Sequence, residues 1–169
     1  NLPCNMRFKK ENIILVGLMP GSKEASKSDI NNYLKPPVDE LELLYKGMNI
    51  RTHQHPEGIP ICTALFMVAC DIPAARKVCG FTSHTSTNAC HKCNRKFTWL
   101  NGTSSVGCTK EENRRHANLW KNAKTLTERK RLEIENGVRW SELHRLVYFE
   151  PVHATIIDPM HNLFLGTAK

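Results

Sequence analysis

The stretch Ile59-Pro-Ile-Cys-Thr-Ala-Leu-Phe-Met-Val-Ala-Cys70, followed at once by Asp71-Ile-Pro73, decides how this chain is read. An apolar run of this kind, bounded by turn residues, fits a buried strand, and Pro73 in a first helical turn would open a helix over residues 74–78. Asp71 then stands at a strand end, where α/β sheets expose catalytic and metal-binding carboxylates. The plainer alternative is that Asp71 only caps the helix.

Working upstream, residues 12–18 (Asn-Ile-Ile-Leu-Val-Gly-Leu) form a second apolar run, closed by Pro20-Gly21, and fit another buried strand. Between the two runs, Ile30, Tyr33, Leu34, Val38, Leu41, Leu44 and Tyr45 recur at helical steps. Asp29 is placed to cap that helix and Gly47 to end it, while Pro36-Pro37 should kink or split it. Downstream, Thr109 to Glu112 and Thr125 to Glu128 both have capping-box spacing, with Gly137 a terminator for the second helix. A short helix begins at Ser141. Residues 152–157 (Val-His-Ala-Thr-Ile-Ile) read as a strand ending at Asp158, and Pro159 starts another helix. The order is strand, helix, strand ending in an acid, basic helical block, strand ending in an acid, which predicts a mixed α/β fold.

At 169 residues, with 40% hydrophobic and 24% charged residues, the chain is one domain or a piece of a larger protein, with enough apolar content for a core. No apolar run approaches the roughly 20 residues that span a bilayer, so no membrane partner is expected. The chain opens Asn1-Leu-Pro3 and stops at Lys169 directly after a dense motif, and it reads as an internal fragment. Its net charge of +8 sits in one place: residues 91–131 hold eleven Lys and Arg against three Glu, and the remainder is neutral. Arg95, Lys96, Arg114, Arg115, Lys121, Lys124, Arg129, Lys130 and Arg131 are the candidate nucleic-acid contacts, a solvated helical face being the alternative.

Seven cysteines are an odd number, which argues against a secreted disulfide framework. Cys90-His-Lys-Cys93 is different, because that spacing lets two thiolates reach one tetrahedral Zn²⁺. His84, His91, Cys108, His116 or residues outside the chain could complete the site, and a redox pair is the other reading. His53 and His55 are taken as loop residues. Asp158 and His161, three apart, would share one side of a helix start, or serve merely as a cap and a surface histidine.

Seven blocks in order carry a resemblance. They are Asn1-Leu-Pro3 leading to Ile14-Leu-Val-Gly-Leu-Met-Pro-Gly21; Ile30-Asn-Asn-Tyr-Leu-Lys-Pro36; Val38-Asp-Glu-Leu41; Cys70-Asp-Ile-Pro-Ala74; Cys90-His-Lys-Cys93; Gly137-Val-Arg-Trp-Ser-Glu-Leu143; and Asp158-Pro-Met-His-Asn-Leu-Phe-Leu-Gly166. Together they resemble the transposases of CACTA (En/Spm-like) DNA elements over nearly the whole chain. The resemblance implies a partial RNase H-like core, a mixed sheet with flanking helices, interrupted by a helical insertion. Residues 1–93 would be core ending in the C-x-x-C, and residues 94–169 the basic insertion.

It further implies a DDE-type site for cleavage and strand transfer, in which three carboxylates hold two Mg²⁺. Asp71 matches the family's second catalytic acid, and Asp158 and His161 match its D-x-x-H motif. The first acid would precede Asn1 and the final glutamate follow Lys169, so the fragment alone should be inactive. In related recombinases the C-x-x-C holds structural zinc with two downstream histidines, which would lie outside this chain. The implied partner is double-stranded DNA, transposon ends and target alike, bound by a nuclear homo-oligomer. The competing expectation is a domesticated, non-catalytic, zinc-dependent nucleic-acid-binding module.

Overall fold

The computed structural model describes residues 2–19, 25–27, 29–93 and 106–156. Two apolar runs were expected as strands near the start of the chain, and only a small part of them pairs. After a short helix α1 (Cys4–Arg7) and a 3₁₀ turn (Lys10–Asn12), residues 13–19 are extended without strand pairing, with Ile14 87% and Leu18 80% exposed. The expected buried strand over residues 12–18 is not formed, because strand hydrogen bonds need a neighbouring chain and none among the described residues lies alongside.

Helix α2 (Ile30–Lys46) follows the expected stripe, with Ile30 and Val38 buried. Pro36 and Pro37 do not split it. The carbonyls they leave without donors belong to Asn32 and Tyr33, which are exposed and within reach of water. Asp29 does not cap the helix. It is itself helical, and its carboxylate accepts from Ser26 Oγ at 2.6 Å. Gly47 ends the helix at φ 95° as expected.

Strands β1 (Met48–Ile50) and β2 (Ile59–Ile61) form an antiparallel pair with Asn49 opposite Pro60. The long run expected as one strand over residues 59–70 is interrupted after Ile61, where Thr63 N–H turns to donate to Leu44 O at the end of α2. Among the described residues it pairs again at Val68, which bridges Thr155 in parallel through Val68 N–H to Ala154 O (2.9 Å) and Ile156 N–H to Val68 O (3.0 Å). The fold is therefore mixed α/β, with a two-stranded sheet, this isolated bridge and several helices.

Asp71 caps helix α3 (Ile72–Cys79), its Oδ1 accepting from Ala74 N–H at 2.8 Å. Gly80 closes α3 at φ 78°, a left-handed conformation in which an added Cβ would meet Arg139 O at 2.5 Å. Helix α4 (Lys110–Asn122) starts with the full Thr109/Glu112 capping box, and α5 (Leu126–Asn136) starts on Thr125 and stops at Gly137, φ 70°. A 3₁₀ turn (Glu142–Arg145) is capped by Ser141. Of residues 152–157, expected as a strand, residues 152–154 instead lie in helix α6 (Pro151–Ala154), and residue 157 lies outside the described residues. Pro151 has a preset helical φ, and buried Thr155 donates its hydroxyl back to Pro151 O at 2.6 Å. Among the described residues of that run, Thr155 keeps a strand-type bridge.

The core lies where these pieces meet. Val38 of α2, Cys79 of α3, Phe81, and Leu143, Leu146 and Phe149 after α5 form one buried cluster. Arg145 clamps α2 from outside, its Nη2 standing 2.6 Å from both Asp39 and Glu42.

Candidate functional site

Three features bear chemistry: the Cys90/Cys93 loop, Asp71 beside the parallel bridge, and the basic helices. The two residues between the cysteines anchor the loop. Lys92 Nζ donates to the carbonyls of Val152, His153 and Thr155 at the C-terminal end of α6, where carbonyls lack helical partners. Buried His91 stacks at a tilt on Phe81, ring centroids 4.9 Å apart, with its Nδ1 3.4 Å from Arg76 Nη1. Burial, then the charges of Lys92 and Arg76, push the His91 imidazole down to about 4, so it is neutral at pH 7.

Cys90 and Cys93 are half-buried and line a cavity of about 250 Å³. Cys93 bridges Gly107 in antiparallel fashion, and Cys108 N–H donates to Lys92 O at 3.0 Å, so Cys108 joins the same cavity. From α4, Glu112, Asn113 and His116 face it at helical spacing. Burial raises the Cys108 thiol, and the neighbouring Cys93 and Cys90 raise it further. Burial and Arg115 lower His116. Among the described residues no three His, Cys, Asp or Glu side chains are gathered closely enough to hold an ion. The donor types themselves, three thiols and the imidazoles of His91 and His116 around one cavity, are ones that zinc accepts. His84 is elsewhere, lining a cleft with Lys27, Arg76, Lys77 and Arg139.

Asp71 is exposed, with Oδ1 engaged by the helix cap. Capping and metal binding are compatible, since a carboxylate has a second oxygen to offer. Val68 and Thr155, the bridge partners, each stand three residues before an aspartate, Asp71 and Asp158. Asp158 and His161 lie outside the described residues, as do Arg95 and Lys96.

The other basic residues divide into two kinds. Arg114 is half-buried and donates to the carbonyls of His144, Leu146 and Phe149, so its charge braces the core instead of facing a partner. Arg129 donates to Ala123 O and lies over Trp120, and Lys121 Nζ lies 3.7 Å from the Trp140 ring centroid. Arg131 pairs with Glu135 at 2.7 Å through both carboxylate oxygens. Arg115, Lys124 and Lys130 are exposed and pair with no carboxylate among the described residues. Arg76 and Arg139 were not singled out by the charge pattern, because they lie outside the basic block. Both are buried and hold the backbone at Thr82, Lys27 and Phe81.

A family model described as "Transposase family tnp2" matches residues 1–140, and the chain belongs to that transposase family. The match covers Asp71, the Cys90/Cys93 loop and both basic helices. No curated protein and no solved structure matches the chain. Among the described residues no helix is long and apolar enough to cross a membrane.

Proposed function

We propose that this chain is part of a cut-and-paste DNA transposase of the CACTA type, carrying Asp71 as one carboxylate of a DDE-type site on a partial RNase H-like core. The observation that supports this reading best is the parallel pairing of Val68 with Thr155, each three residues ahead of an aspartate. A carboxylate just past the pairing of a parallel segment, as Asp71 is past Val68, is where α/β sheets expose catalytic groups. The other carboxylates of a DDE-type site would complete it.

Two Mg²⁺ ions, when held by Asp71 and those acids, supply charge neutralisation at the scissile phosphate and an activated attacking oxygen. The chain's own residues do the rest. Ala74 N–H fixes one oxygen of Asp71 and leaves the other for a cation. Arg115, Lys121, Lys124, Arg129, Lys130 and Arg131 on or between α4 and α5, with Arg95 and Lys96, hold double-stranded DNA by its phosphates without reading bases. His161 would act at the phosphate as an orienting or proton-handling group, with Asp158 of the same D-x-x-H motif fixing it. Cys90 and Cys93 contribute to a structural zinc that braces the insertion. The full protein works as a homo-oligomer in the nucleus, where its chromosomal substrate lies.

The test is Asp71→Ala in the transposase. Mg²⁺-dependent cleavage and strand transfer should vanish while DNA affinity and its salt dependence stay unchanged; a variant that still cuts overturns the assignment. Salt-sensitive binding by the unaltered protein with no Mg²⁺-dependent nicking would instead indicate a non-catalytic binding module.

A further inference from the structure

The zinc in this reading was expected to draw its last two ligands from histidines beyond the chain. The cavity beside α4 indicates otherwise. We propose that Cys90, Cys93, Cys108 and His116 together bind one Zn²⁺, closing a tetrahedral site wholly within this chain.

The backbone already brings the four residues together. His91 and Lys92 are fastened to the core and to α6, which leaves Cys90 and Cys93 lining the cavity. The Cys93–Gly107 bridge and the Cys108 N–H bond to Lys92 O bring in the third thiol. Helix α4 starts directly after it, and of its three cavity-facing residues two are committed elsewhere. Glu112 belongs to the capping box, and Asn113 Oδ1 accepts from buried His144 Nε2 at 3.0 Å. His116 remains, with Nε2 in an exposed 3.3 Å contact to Arg115 Nη2 that a bound cation would displace. His91 is a poorer donor. Its Nδ1 accepts from the buried Arg76 guanidinium, which leaves the proton on Nε2.

No three of these side chains converge on one point in the metal-free arrangement, so zinc binding at Zn–S of about 2.3 Å and Zn–N of about 2.0–2.1 Å requires all four to turn inward from the cavity walls. Such a site would tie α4 to the loop that Lys92 pins onto α6, and so couple the basic helices to the Val68–Thr155 pairing. The inference refines the zinc part of the proposed function and is independent of its cleavage chemistry, so either can fail alone.

The experiment is metal content and zinc affinity of the 169-residue chain, with cobalt substitution to count thiolates. One zinc per chain is expected. Cys108→Ser and His116→Ala should each weaken zinc binding by more than the roughly 10–100-fold that loss of an outer-shell partner costs. Cys62→Ser, outside the cavity, should leave it unchanged. Should the first two fail to fold, His116→Cys decides: retained zinc with a spectrum showing one additional cobalt–thiolate bond supports the site. A chain that binds no zinc, full affinity in both Cys108→Ser and His116→Ala, or a cobalt spectrum unaltered in His116→Cys overturns it.

Discussion

Residues 12–18 and residues 59–70 have nearly the same apolar character, and the fold treats them differently. From Ile13 onward the first run is extended, exposed and unpaired among the described residues, with Ile14 and Leu18 largely in solvent. The second pairs at Ile59–Ile61 and again at Val68, because β1 and Thr155 are there to meet it. An apolar run states a need for burial, and a partner segment decides whether it becomes a strand. The two regions should therefore respond differently to perturbation, since everything packed around Val68 shares the buried cluster of Val38, Cys79, Phe81 and Phe149.

The largest effect is expected inside that cluster. Phe149 is 2% exposed, and Phe149→Ala should lower unfolding stability by about 3–5 kcal/mol in denaturant titration. Acid should act next, and on the same region. His144 is buried between Asn113 and Ser141, and burial, with the charges of Arg114 and Lys121, holds its imidazole down at about 4 against an opposing contribution from the Ser141 backbone. Between about pH 6.5 and 4 the unfolded chain takes up a proton that the folded chain refuses. Stability is therefore full above the upper value and falls as pH drops, by up to roughly 3 kcal/mol. His144→Gln should make that profile shallower in thermal melts across this pH range, leaving the part contributed by His91, whose buried imidazole is likewise held down at about 4.

A smaller change follows at the edge of the region. Asp71→Ala removes the α3 cap and should cost about 1 kcal/mol, whereas Asp71→Asn, which can still cap, should cost a few tenths. Smallest of all, Leu18→Ser should alter stability by less than about 0.5 kcal/mol. A cost like that of Phe149→Ala would mean that residues 12–18 are buried after all.

Local chemistry was legible in the sequence. The Thr109 box, the Thr125 cap, the glycine stops at 47 and 137 and the Asp71 cap all form as expected, because each depends on neighbours within a few residues. What failed depended on distant partners. The strand over residues 12–18 lacks one among the described residues, the run after Ile61 turns toward the end of α2, and residues 152–154 are helical because Pro151 starts a turn that alternation does not reveal. Charge counting located the basic block, yet it could not show that Arg114 serves three carbonyls while Lys124 faces solvent. Likewise Cys108 and His116 were two of several possible partners for the C-x-x-C. The pairing of Gly107 with Cys93 makes them neighbours, and no local motif encodes that pairing.

Asp71 is the most informative residue to alter, since its cap and its proposed metal role separate in one substitution. The deciding measurement is Mg²⁺-dependent nicking of transposon-end DNA by the transposase carrying Asp71→Asn, alongside its thermal stability. The account predicts near-unchanged stability and no detectable nicking. Nicking at the unaltered rate would mean that Asp71 is a helix cap and nothing more, and would contradict its place in the active site.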